Sequence, residues 1–247
     1  MKEPDRIANL DAIAKQFKQE KGFNRLLSER YDALKIFELG KGSKVLELGC
    51  GEGLITNGLV KQFDRIVAID GSSVCLRCAK RRIKNNSKVT FIHSSFESFE
   101  TDELFDTIIM AHILEHVEDP ILLLQKAGRW LNRNGYIIII VPNAESFHRR
   151  VGKIMGLIRD VHELAEADFI AGHRRYYDTN LLREDILSSG LVVERIGGIL
   201  LKPLSNAQME QWSPAITDAF YELSKELPPE YCAEIWARCV LPEAKEA

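Results

Sequence analysis

No apolar run in the 247-residue sequence is long enough to cross a bilayer, which excludes a helical membrane span. Its first residues, M-K-E-P-D-R, carry charge where a signal peptide has an apolar core, so the expected location is cytoplasmic. Neither sign of charge dominates: 33 basic against 36 acidic residues leave a net charge of −3, which argues against a nucleic-acid partner. Cysteine is too sparse for a disulfide framework. The five present, Cys50, Cys75, Cys78, Cys232 and Cys239, are odd in number and read as reduced thiols. Cys75-x-x-Cys78 lacks the second pair that a zinc site of that spacing uses. A dinucleotide fingerprint is also missing. G-x-G-x-x-G begun at Gly49 meets Leu54, and begun at Gly51 it meets Thr56.

What is present is a strand running into a glycine turn and then a helix. Val45, Leu46 and Leu48 form a short apolar strand; Gly49, Gly51 and Gly53 follow at alternate positions, and a helical pattern starts at Leu54. Such a turn lets the backbone approach a ligand and points free N–H groups at it. Glu47 before the loop and Glu52 within it would repel a pyrophosphate, and they suit a ligand that carries positive charge. Asp70, ending the next strand about 20 residues beyond the first glycine, is placed to accept ribose hydroxyls.

The string E-x-G-x-G-x-G resembles the cofactor loop of class I S-adenosylmethionine-dependent methyltransferases. A second stretch, Leu114-Glu115-His116-Val117-Glu118-Asp119-Pro120, is similar to the strand-four motif of small-molecule O-methyltransferases of the ubiquinone-biosynthesis type. The resemblance covers about residues 40–202. It implies S-adenosyl-L-methionine as cofactor, held by Glu47, Gly49, Cys50, Gly51, Asp70 and Gly71. Ala111 and His112 would face its methionine part. The family usually places an acid just past strand three to bind adenine; Ser95 stands there, followed by Phe96, whose backbone is the expected adenine partner. The family's N-terminal leader packs over the cofactor cleft, which would bring Phe23 or Tyr31 near it.

Alternating strands and helices predict an α/β fold: a Rossmann-like, doubly wound seven-stranded sheet, mostly parallel, with an antiparallel edge hairpin. Residues 1–40 read as a helical leader, with Ile7, Leu10, Ile13, Ala14 and Phe17 at helical spacing and Leu34, Ile36, Phe37 and Leu39 after them. Residues 41–202 form the expected methyltransferase domain, with strands at 44–48, 65–69, 89–93, 105–110 and 136–141. The hairpin is expected within 191–202, turning at Gly197-Gly198. Residues 143–177 are longer than a crossover needs and read as a lid, helical over 147–164. Residues 203–247 read as a helical tail.

Methyl transfer needs an aligned nucleophile and removal of its proton, a task suited to histidine. His173 and His116 are the leading bases, with His112 as a third. His112, Glu115, His116 and His173 also resemble the metal-binding arrangement of small-RNA 3′-end methyltransferases, with His112 where that family has Glu. Bracing of the following helix by Glu115 and His116 is the competing reading. Arg149, Arg150, Arg174 and Arg175 flank the expected acceptor pocket and point to an acceptor carboxylate or phosphate. The expected function is methyl transfer to a hydroxyl of a small metabolite. Alternatives are N-methylation of a small amine, metal-dependent 2′-O-methylation of an RNA 3′ end, or cofactor binding without turnover.

Overall fold

The computed structural model describes residues 10–13, 23–84 and 86–243, without the side chains of residues 23–29. Ile7, Ala14, Phe17 and the side chain of Phe23 lie outside the described residues. Residues 10–13 are helical, and α1 spans Phe23–Leu39. From there strands and helices alternate: β1 (Lys44–Leu48), α2 (Leu54–Leu59), β2 (Arg65–Asp70), α3 (Ser73–Ile83), β3 (Val89–His93), β4 (Phe105–Ala111), α4 (Pro120–Arg129) and β5 (Leu131–Pro142). Three helices start at a residue whose side chain caps them. Ser72 accepts from Cys75 N–H, Asp119 from Leu122 N–H and Asp178 from Leu181 N–H.

The sheet runs β3-β2-β1-β4-β5-β7-β6. β1 to β5 are parallel, and the strand order reverses between β1 and β4, opening the crevice where α/β folds bind ligands. The central strands β1, β2, β4 and β5 bury both faces. Val45, Ile66, Ala68, Ile138 and Ile140 pack against Ile36 and Leu39 of α1, Leu59 of α2 and Leu76 and Ala79 of α3. Leu46, Leu48, Val67, Ile69, Ile137 and Ile139 face Leu123, Leu124 and Ala127 of α4 on the other side, with Leu182 and Ile186 of α7 (Thr179–Ser188). Burial on two faces explains the continuous apolar runs.

Three expectations on the chain path are corrected. The expected hairpin within 191–202 is instead one strand, β6 (Val192–Leu201). It pairs antiparallel with β7 (Cys232–Val240), which comes from the segment expected to be helical and inserts between β5 and β6. Gly197 and Gly198 are small because β7 side chains lie over them, not because the chain turns there. A Cβ on Gly197 would stand 2.7 Å from the Trp236 ring, and one on Gly198 would collide with the Cys232 side chain. The tail does hold α8 (Asn206–Met209) and α9 (Pro214–Ser224).

β5 begins at Leu131, not after a turn at 132–135. Leu131 pairs with Phe105, and the Asn132 side chain donates to Asp106 Oδ1 (2.6 Å), which keeps this stretch extended. Finally, the helix expected over 147–164 is α5 (Phe147–Ile154), ended by turns at Gly156 (φ +73°), with α6 (Glu166–Ala171) further on. Among the described residues no helix is long and apolar enough to cross a membrane.

Candidate active site

The cofactor loop is fixed to β2. Gly49 and Cys50 N–H both donate to Ile69 O at 2.8 and 3.0 Å, and Gly51 N–H donates to Asp70 Oδ2 at 2.8 Å. The other Asp70 oxygen accepts from Ser72 N–H at 2.7 Å, so one carboxylate ties the loop to the start of α3. Gly51 sits at φ +52° with no atom within 4 Å of where a Cβ would be, an open cradle for a ligand. Gly53, by contrast, is small for packing: a Cβ there would lie 2.9 Å from Ala79 of α3.

Glu47 is buried (2% exposed) and accepts one hydrogen bond, from Thr56 Oγ1 at 2.6 Å. Burial pushes its carboxyl up to about 7, with nearby Asp70 adding to the effect. Burial raises Asp70 as well, against the two backbone N–H groups that favour its charge. Two acids held at this cost, beside an open backbone cradle, fit a ligand that brings positive charge and ribose hydroxyls. S-adenosylmethionine is such a ligand.

The adenine side differs from a free acceptor. Ser95 is buried, and its hydroxyl is engaged with the backbone and hydroxyl of Ser98. Phe96 lies beside Gly49, next to Ile113. Gly71 faces Leu10, and Asp11 accepts hydrogen bonds from Ser72, Ser73 and Val74. This short helical piece, and not Tyr31, is the leader element that lies against the turn Gly71 to Val74 after β2. Tyr31 stacks on Tyr221 of α9 (4.6 Å between rings) and donates to Asp218.

On the acceptor side, β4 ends at Ala111, and the chain turns at His112, whose N–H donates to Ile140 O. His112 adopts φ +55°, a left-handed backbone that only a minority of non-glycine residues adopt. Its Nε2 lies 2.8 Å from Asp32 Oδ2 and its Nδ1 3.2 Å from Glu115 Oε1, with Glu234 of β7 at 3.7 Å. Burial would lower its pKa, but the carboxylates, Asp32 first, hold it well above its ordinary value. An imidazole that donates from both nitrogens has no lone pair for a substrate proton. With both ring nitrogens turned to carboxylates, His112 leaves neither free for an acceptor.

His116 and His173 do meet. The turn 114–118 is stitched to the end of the segment 143–177: Arg174 N–H donates to Glu115 O, the Arg174 side chain to His116 O, and Arg175 to Leu114 O, Val117 O and Glu118 O. This brings the His116 and His173 rings to 4.7 Å edge to face, and one ligand-type atom from each of Glu115, His116 and His173 falls within 4.8 Å of the others. The four-residue set expected for a metal is thus split, with three together and His112 turned to Asp32 and Glu234. Burial lowers the pKa of His173, which keeps it neutral, and its buried Nδ1 has no hydrogen-bond partner; Asp168 is 3.6 Å away.

The arginines do not face an acceptor anion. Arg150 donates to Glu145 O, and Arg149 donates to Val161 O and Glu163 O while stacking on Tyr176 at 3.8 Å. With Arg174 and Arg175 they hold the segment 143–177 to itself and to the body. Sequence reasoning missed Asp32, Glu234 and Lys202. The first two are acids in a helix and in the tail, with no local motif to mark them. Lys202 follows β6, and burial lowers its pKa to about 8.

Comparison with known proteins agrees with this geometry. Residues 18–196 match the methyltransferase domain family. A ubiquinone biosynthesis O-methyltransferase of Rickettsia felis is 23% identical over 172 residues, covering 66% of each chain, and one of Pelagibacter ubique is 31% identical over 104 residues, covering 42% of this chain and 43% of that one. The chain thus spans between 37% and 68% of the length of the curated relatives it matches. A Thermotoga maritima methyltransferase described as a possible histamine N-methyltransferase shares the fold with a TM-score of 0.69 at 19% identity, covering 95% of this chain and 99% of that one. An N-methyltransferase of Bradyrhizobium japonicum, solved with S-adenosyl-L-homocysteine, aligns with a TM-score of 0.61 at 16% identity, over 95% of this chain and 99% of that one. With its glycine cradle, its buried acids and a domain match over most of its length, the chain belongs to the class I S-adenosylmethionine-dependent methyltransferases.

Proposed function

We propose that the enzyme methylates a hydroxyl group of a small metabolite, with the acceptor oxygen held beside Glu115, His116 and His173. The observation that carries this reading is the neutral, half-buried His173, whose Nδ1 is buried and unpartnered. Bound S-adenosylmethionine supplies a methyl group on positively charged sulfur. What the chain must add is alignment and a place for the acceptor's proton. A free amine attacks through its lone pair without a base, whereas a hydroxyl is a poor nucleophile until its proton leaves. A fixed imidazole therefore favours oxygen over nitrogen. The names of the curated relatives support the same choice. His116 lies against His173 and orients it, and Asp168 lies on the Nδ1 side.

His173→Ala should lower kcat by about 10²–10⁴-fold while affinity for S-adenosylhomocysteine stays unchanged. Near-normal turnover in that variant would remove His173 as the base. Mass spectrometry of products from metabolite extracts separates O- from N-methylation.

A second reading rests on one further observation: Glu115 Oε2, like His173 Nδ1, is buried without a partner. Two histidines and one carboxylate are a donor set for a divalent cation that leaves open positions for acceptor oxygens. Activity that falls with a chelator and returns with a divalent ion supports it; full activity in excess chelator excludes it.

A further inference from the structure

The acceptor centre is built from a turn and a lid, yet the charge that fixes it comes from the leader helix. Asp32, on α1, is 1% exposed and lies 2.8 Å from His112 Nε2. The opposite ring nitrogen of His112 reaches Glu115 Oε1 at 3.2 Å. Glu115 is fully buried, and its second oxygen, Oε2, has no hydrogen-bond partner. This carboxyl supplies the acid of the Glu115–His116–His173 cluster. One imidazole thus bridges a carboxylate on the leader to the carboxylate of the acceptor centre, and it does so from a left-handed backbone held by Ile140 O. Such a backbone persists where its surroundings over-determine it.

We infer that Asp32 is a positioning residue for methyl transfer: through His112 it holds Oε1 of Glu115 and so presents Oε2 to His116, His173 and the acceptor. Without Asp32, one face of the ring loses its short partner. Glu234 alone remains there, at 3.7 Å. The ring can then rotate, and Glu115 loses the donor that sets its rotamer. The Gly49–Gly53 loop and Asp70 share no side chain with this bridge. The site is complete only when α1 is docked, which makes the leader part of the active centre as well as its cover.

The inference rests on the acceptor-site reading given above, and the experiment separates the two. Asp32→Asn keeps an acceptor oxygen but removes the charge that holds the imidazole, and should lower kcat by about 10–100-fold, the usual effect of changing a partner one step behind a site residue. Affinity for S-adenosylhomocysteine should not change, and Asp32→Glu should restore part of the rate. Asp218→Asn is the control. It removes the charge and one acceptor of the link from α9 to Arg30 and Tyr31 on the same helix but leaves the bridge intact, so it should keep its turnover. His112→Asn serves if Asp32→Asn does not fold, since asparagine accepts a left-handed backbone but cannot span both carboxylates; it should show the same loss of kcat. Wild-type kcat in these bridge variants, or an equal loss in Asp218→Asn, overturns the inference. Glu115→Gln distinguishes the failures. If it is inactive while Asp32→Asn is normal, only the bridge is wrong; if it too is normal, the acceptor-site reading itself falls.

Discussion

Replacing Glu47 by Gln should make the ligand-free protein more stable and its cofactor complex weaker. An unfolded glutamate ionises near 4.5, whereas burial holds Glu47 protonated up to about 7. Below pH 4.5 both states carry the proton, and the group adds nothing to pH dependence. Between 4.5 and 7 the unfolded chain releases the proton while the folded chain keeps it, so stability falls as pH rises through that window. At 1.36 kcal/mol per unit the loss is roughly 3 kcal/mol by pH 7–8. Glutamine removes this pH-dependent part and can still accept from Thr56, so the variant's Tm should exceed the wild type's by about 6–12 °C at pH 8, with the gap closing toward pH 4.5. The opposite effect on the ligand follows from charge. A positive ligand favours ionised Glu47, and losing that charged partner should weaken S-adenosylmethionine by about 1.5–3 kcal/mol, roughly 10–150-fold. Thermal scans across pH and calorimetry at pH 6 in two buffers of different ionisation enthalpy read both effects, and wild-type binding at pH 6 should release a proton. A Tm difference that does not vary with pH, or unchanged affinity in the variant, would refute the reasoning.

Other outcomes follow from separate features. Asp70→Ala removes the acceptor for Gly51 N–H and Ser72 N–H, and calorimetry should show S-adenosylhomocysteine weakened by about 1.5–3 kcal/mol, with NAD binding no better than before. Gly197→Ala drives a methyl group into the Trp236 ring and should cost about 1–3 kcal/mol in thermal unfolding; an unchanged Tm would mean that β6 and β7 are less tightly packed than described. The segment 143–177 buries no side chain from α5 or α6 and exposes Ile154, Met155, Leu157 and Phe169. Hydrogen exchange across it should slow when S-adenosylhomocysteine and acceptor are both bound, and slow exchange already in the free protein would make it a fixed cap.

The cofactor half was legible in the sequence because its signals are local. Strand, glycine turn and helix follow within a few residues, and Asp70, Ser72, Asp119 and Asp178 each accept from an N–H two or three residues further along the chain. The acceptor half was legible by residue type but not by partner. Four arginines announced cations, yet a backbone carbonyl leaves no trace in a sequence, and carbonyls are what they hold. His112 looked like a base or a ligand; only the fold places Asp32 and Glu234 on it. Gly197-Gly198 carried the composition of a turn, and nothing nearby showed that Trp236 and Cys232 would need the space.

The insertion of β7 between β5 and β6 also sets a timetable. During synthesis β5 emerges with its parallel partner β4 already made, while its other edge, Ile137 to Pro142, stays open until Cys239 to Glu234 arrive. β6 is made in that interval and has no neighbour to join, since among the described residues its only pairing is with β7. An apolar strand edge left unpaired is a template for another chain, and closing such long-range pairs is slow. Chains truncated before residue 232 should therefore accumulate as aggregates and not as smaller folded domains. For the complete chain, the rate of refolding should be set by the docking of this strand, and a chaperone that shields β5 should raise the yield more than one acting on the cofactor loop.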